Sequence, residues 1–104
     1  MDRKELIDKL KLFKKRIEKK YKIEKMILFG SRTSKVYKED GDVDIILVGD
    51  FKGKSNLERA PPLYIEWELD LPVDFLCYSL EEYKKLAKQI TIVREALRNG
   101  IIIK

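Results

Sequence analysis

Leu6, Ile7, Leu10, Phe13 and Ile17 recur at the spacing of one helix face. Asp2, followed three residues later by Glu5, has the pattern of a capping box, so a first helix is predicted over about residues 2–20. The period then changes. Met26, Ile27, Leu28 and Phe29 form a short, wholly apolar run closed by Gly30, as a buried strand does. Val43 to Val48, ended by Gly49-Asp50, reads as a second strand, and Val73 to Tyr78 as a third. The segment from Ser31 to Tyr37 is expected to be a short helix capped by Ser31. Phe51 to Ser55 reads as a loop. Asn56 to Leu69 has helical character, but Pro61 and Pro62 must sit near a helix start or break it, and the pattern leaves this stretch open. Ser79 with Glu82 marks another cap, ahead of Leu80, Tyr83, Leu86, Ala87 and Ile90. A last helix over about Thr91 to Arg98 is expected to stop at Asn99-Gly100 in the left-handed conformation, leaving Ile101 to Ile103 as a short terminal strand.

Alternating strands and helices predict an α/β layer fold on one sheet, with the three longer strands as neighbours. At 104 residues the expectation is a single domain spanning residues 1–104. Composition changes this picture little. Apolar residues make up 44% and charged residues 39%, so the chain is globular and unusually charged rather than disordered. Lys, Glu and Ile are abundant, Gln89 is the only glutamine and histidine is absent, a bias seen in proteins from hot environments. The net charge of +5 would suit a polyanion. Its basic residues, however, concentrate in the first helix and just after it, as Lys9, Lys11, Lys14, Lys15, Arg16, Lys19, Lys20 and Lys22. A solvated helix face explains that cluster better than a nucleic-acid surface does. Cys77 is the lone cysteine and lies in an apolar run, which excludes an intrachain disulfide and suggests a buried, inert thiol. With no signal peptide and no run of about 18 apolar residues, a cytoplasmic location without membrane attachment is expected.

The chemistry concentrates in Phe29 to Val48, which reads FGSRTSKVYKEDGDVDIILV. Along a strand, alternate side chains share a face, so Asp42 and Asp44 fall on one face while Val43 and Ile45 occupy the other. Asp44 interrupts an apolar strand where β-propensity disfavours it. Two carboxylates without a cation repel one another, and a hard divalent ion with oxygen ligands would neutralise them; Mg²⁺, often held by carboxylates together with substrate phosphates, fits best. Gly30-Ser31 lets the backbone approach a phosphate closely, and a helix starting at Ser31 would aim free N–H groups at the anion. Asp74, between Val73 and Phe75, adds a third carboxylate in an otherwise apolar strand. Each signal alone is weak: a Gly-Ser turn is usually only a turn, and a strand aspartate is often just edge-exposed. Together they are what nucleotidyl transfer requires, a backbone cradle for phosphates and carboxylates for two ions about 3.5–4 Å apart.

Gly30-Ser31, ten intervening residues, Asp42-Val43-Asp44, and Asp74 on a later strand resemble the active-site signature of the DNA polymerase β nucleotidyltransferase superfamily. The resemblance extends over nearly the whole chain and is strongest to its minimal branch, the MntA antitoxins of toxin–antitoxin pairs. It implies a mixed sheet flanked by helices, and an enzyme that uses ATP to place AMP on a tyrosine of a cognate HEPN-domain RNase toxin. By position, Gly30 and Ser31 would hold the triphosphate, with Arg32 also contacting phosphate. Asp42 and Asp44 would bind both Mg²⁺ ions, and Asp74 would complete the metal site and help activate the acceptor hydroxyl. The chain departs from many relatives at Lys35-Val36, where a glycine is common, and at Gly41, where serine is common; both departures concern loop geometry. Two other functions remain open: a steric antitoxin that binds its toxin without catalysis, and transfer to a small molecule or nucleic acid. The stretch from Leu57 to Trp67, with Leu63, Tyr64, Ile65 and Trp67, holds more apolar surface than one helix face can bury, which suits a partner interface or, for Trp67, the core.

Overall fold

The computed structural model describes residues 2–33, 42–51, 53–89 and 91–104, apart from the side chains of Ser31, Arg32 and Asn56. The first helix, α1, runs Arg3–Glu18, and the Asp2 carboxylate accepts a hydrogen bond from the Glu5 N–H at 2.8 Å. Its apolar stripe, Leu6, Leu10, Phe13 and Ile17, is fully buried. The strands are β1 (Ile23–Phe29), β2 (Val43–Gly49), β3 (Val73–Tyr78) and β4 (Ile101–Ile102). They form one sheet in the order β3-β2-β1-β4. β1 pairs antiparallel with β2 and β4, whereas β2 and β3 run parallel, so the sheet is mixed as expected.

The Asn56–Leu69 stretch, which the pattern left open, resolves into two short helices, α2 (Asn56–Arg59) and α3 (Pro61–Glu66). The prolines sit at the first positions of α3, where a missing N–H costs nothing. α4 (Leu80–Ala87) opens with the reciprocal Ser79–Glu82 capping box, and α5 (Ile92–Asn99) with Thr91 as its cap.

Strand alternation divides the core between the two faces of the sheet. Val43, Ile45, Leu47, Phe75 and Cys77 pack with α1 and with Leu63 of α3. Ile27, Ile46 and Val48 pack with Tyr83 of α4 and with Val93 and Ala96 of α5. On the first face, Phe13 and Trp67 meet edge to face with ring centres 5.1 Å apart, and Phe75 lies within 5.8 Å of both. Trp67 is therefore a half-buried residue packed against the core, its indole N–H donating to the Leu71 carbonyl at 2.9 Å. Leu57 and Ile65 remain exposed.

β3 is an edge strand, yet side chains occupy two of its outward backbone groups. The Phe75 N–H donates to the Tyr64 hydroxyl and the Cys77 carbonyl accepts from Arg59, which limits pairing with a foreign strand at those positions. Arg59 is buried and ion-paired with Glu82 at 2.6 Å.

Two local expectations are corrected. After β1 the chain enters a 3₁₀ turn, Gly30–Thr33, rather than a helix capped by Ser31. The cause is Gly30, which adopts φ +80° as the chain reverses, with the Thr33 hydroxyl donating to its carbonyl. The remainder of that expected helix, residues 34–37, lies outside the described residues, as do Gly41 and Ile90. Gly100 ends α5 in extended geometry, φ −83° and ψ 173°, not left-handed. A glycine belongs there for lack of space: a Cβ would stand 2.8 Å from the Ile27 side chain and 2.9 Å from the Leu28 carbonyl.

Candidate active site

Asp44 lies one residue into β2, between the buried Val43 and Ile45, and points to the face that carries α4 and α5. It is opposite Asp74 in the parallel β2–β3 register and opposite Phe29 in the antiparallel β1–β2 register. Neighbouring strands are about 4.8 Å apart, so Asp44 and Asp74 stand side by side on one face. The Val43 N–H donates to the Pro72 carbonyl at 2.9 Å, tying the start of β2 to the entry of β3 and fixing this alignment. Asp42 precedes the strand rather than lying within it, and is exposed.

Gly30 closes the site from the β1 side. Because Phe29 pairs with Asp44, the next residue passes directly over the Asp44 side chain. A Cβ at Gly30 would overlap Asp44 Oδ2 and lie 3.3 Å from Cγ. The glycine is thus required twice, by its positive φ and by the carboxylate beneath it. The structure therefore brings Gly30, Asp44, Asp74 and Asp42 together at one end of the sheet. Ser31 and Arg32 contribute backbone to the turn, and their side chains lie outside the described residues.

The electrostatics of the cluster are those of negative charge awaiting a counterion. Partial burial raises the proton affinity of Asp44 above the usual carboxylate value, and the charges of Asp74 and then Asp42 raise it further. No basic side chain among the described residues pairs with any of the three. As placed, no three acidic, histidine or cysteine groups among the described residues enclose a metal position. The donor set nevertheless suits a hard divalent cation: three carboxylates at one end of the sheet, two of them exposed and held by no hydrogen bond to another described residue.

Two features had no reading in the sequence. One is the buried Arg59, whose guanidinium bridges Glu82 and the Cys77 carbonyl. The other is a cleft of about 610 Å³ beside Gly30, lined by Phe29, Thr33 and residues of α5. The signal was present for the second, since Ile92, Glu95, Ala96 and Asn99 share a helix face, but nothing in the pattern states which strand end that face meets.

The nucleotidyltransferase domain model matches residues 10–102. The fold is similar to that of a Sulfolobus solfataricus protein assigned as a nucleotidyltransferase and solved by crystallography at 1.40 Å. The TM-score is 0.69 at 18% identity, over 96% of this chain and 80% of the other. A comparison with curated proteins finds no match.

Proposed function

Because this chain belongs to the nucleotidyltransferase domain family, as a minimal member of the DNA polymerase β superfamily, we propose that it is an ATP-dependent protein adenylyltransferase, the antitoxin of a HEPN-type RNase. The observation that carries the reading is the juxtaposition of Asp44 and Asp74 in register, with Gly30 pressed onto the Asp44 carboxylate.

In this proposal Asp42, Asp44 and Asp74 hold two Mg²⁺ ions, which supply neutralisation of the triphosphate and acidify the acceptor hydroxyl. The turn at Gly30 brings backbone within reach of the phosphates, with Ser31 and Arg32 as further contacts. Asp74, at the outer edge of the cluster on the edge strand, accepts the proton of the attacking phenol. The phenol oxygen then bonds to the α-phosphorus, the α–β phosphoanhydride bond breaks and pyrophosphate leaves. A phenol with pKa near 10 is mostly protonated at neutral pH, which is why such a base helps.

The basic cluster of α1 lends no support to a nucleic-acid acceptor. α1 packs on the face of the sheet opposite the carboxylates, so its lysines do not line an approach to them. Arg16 and Lys20 are also engaged within the fold, at Glu68 and Glu66. Among the described residues no helix is long and apolar enough to cross a membrane. The test is intact-mass spectrometry of a HEPN-type RNase incubated with the protein, ATP and Mg²⁺. A gain of one or more AMP units on a tyrosine supports the reading, and its loss with Asp74→Ala while ATP still binds supports the role given to Asp74. A stable complex without adduct, under conditions where ATP binds, would replace catalysis with steric inhibition.

A further inference from the structure

The cleft beside Gly30 has a volume of about 610 Å³, within the range of small-ligand sites. Phe29 and Ala96 give it apolar walls, and Ile92, 51% exposed, stands at its mouth. Glu95 and Asn99, one helical turn apart and both exposed, supply polar groups along the same wall. Neither side chain is held by a hydrogen bond or ion pair to another described residue. Gly30 lines the cleft and also abuts Asp44, so the cleft borders the carboxylate site across this one residue.

Its charge decides which part of a nucleotide can enter. Among the described residues no lysine or arginine lines it, and Glu95 adds a carboxylate. Phosphates are therefore disfavoured, while an uncharged, flat ring bearing hydroxyl and amine donors is well matched. We propose that this cleft holds the nucleoside half of the substrate, with Asn99 reading adenine and Glu95 accepting hydrogen bonds from the ribose hydroxyls. The inference rests on the nucleotidyl-transfer reading above. An asparagine amide presents a donor and an acceptor side by side, which matches the adjacent ring nitrogen and exocyclic amine of adenine. Phe29 and Ile92 give the ring an apolar surface to lie against.

The test measures affinities of ATP, GTP and inorganic tripolyphosphate, each with Mg²⁺, for the wild type, Asn99→Ala and Glu95→Ala. Both residues are exposed, so the variants should keep the fold, and melting curves check this. The wild type should bind ATP more tightly than GTP and more tightly than tripolyphosphate. Asn99→Ala should weaken ATP by roughly 10- to 100-fold and erase the preference over GTP, as expected for losing a bidentate base contact. Glu95→Ala should weaken ATP and GTP alike, since both carry ribose. Tripolyphosphate binding should not fall in either variant. Equal loss of ATP and GTP in Asn99→Ala would overturn the adenine assignment. Unchanged ATP binding in both folded variants, or wild-type ATP binding no tighter than tripolyphosphate, would overturn the cleft assignment and leave the phosphate site standing. Failure of the wild type to bind either ATP or tripolyphosphate would instead remove the nucleotidyl-transfer reading itself.

Discussion

Replacing Gly30 with alanine should destabilise the protein through two separable causes. The first is backbone strain: at φ +80° a residue with a Cβ costs roughly 1–2 kcal/mol. The second is the collision with Asp44, whose carboxylate must turn away from its rotamer at a cost of about 0.5–1.5 kcal/mol. The sum, about 1.5–3.5 kcal/mol, corresponds to a fall in Tm of roughly 6–28 °C for a domain of this size. Gly53 provides the control, because it has φ +83° with nothing within 4 Å of a Cβ. Gly53→Ala should therefore show the backbone cost alone. Asp44→Ala removes the carboxylate and leaves only its Cβ, 3.5 Å from the new methyl, which is ordinary contact. In that background Gly30→Ala should cost no more than Gly53→Ala does. The assay is urea or thermal unfolding of the three single variants and the double mutant in metal-free buffer. Equal costs for Gly30→Ala and Gly53→Ala in the wild-type background, or no relief from Asp44→Ala, would refute the close approach of Gly30 to Asp44.

Asp44→Asn should abolish transfer and yet melt no lower than wild type in metal-free buffer at neutral pH. The folded-state pKa of Asp44 is raised, so its ionised form destabilises the fold above that value, and stability returns as pH falls toward the ordinary carboxylate pKa. The variant should lack that component of the pH dependence, and a clear loss of stability at neutral pH would contradict it. Glu82→Ala should cost about 1–3 kcal/mol in chemical unfolding, by removing half a capping box and the partner of the buried Arg59. The Glu82 pKa is lowered, first by the Ser79 backbone N–H and also by Arg59, so its contribution is present at neutral pH and should disappear as pH falls below the usual carboxylate range. Burial pushes the Cys77 thiol up to about 11; a thiol reagent at neutral pH should therefore label it only when the protein is unfolded, and rapid labelling of the native protein would place it at the surface.

The fold was legible wherever a local rule agreed with burial. The α1 stripe, the Ser79–Glu82 box and the three apolar strands each carried their period in the residues themselves. Gly100 was misread because glycine after a helix usually signals positive φ, whereas here a Cβ would overlap the Ala96 carbonyl one turn back and crowd Ile27 and Leu28 of β1, which are distant in sequence. The turn after β1 was misread for a similar reason. Gly30 answers to Asp44 beneath it, so the local pattern suggested a helix cap where tertiary crowding demanded a tight reversal. The grouping of Asp44 with Asp74 was expected from motif order, but their shared face follows from parallel register, which no local pattern states. Of the surplus apolar residues between Leu57 and Trp67, Leu63 is buried and Trp67 packs against the core, whereas Leu57, Tyr64 and Ile65 stay exposed.

Transfer of label distinguishes nucleotidyl transfer from every alternative. The protein, a HEPN-type RNase and Mg²⁺ would be incubated in parallel with ATP labelled at the α-phosphate and at the γ-phosphate, with Asp44→Asn beside the wild type. The account predicts that α-label becomes covalently attached to the RNase, that γ-label does not, and that Asp44→Asn transfers neither. Attachment of γ-label, or α-label transfer undiminished in Asp44→Asn, would contradict the assignment of these carboxylates to nucleotidyl transfer.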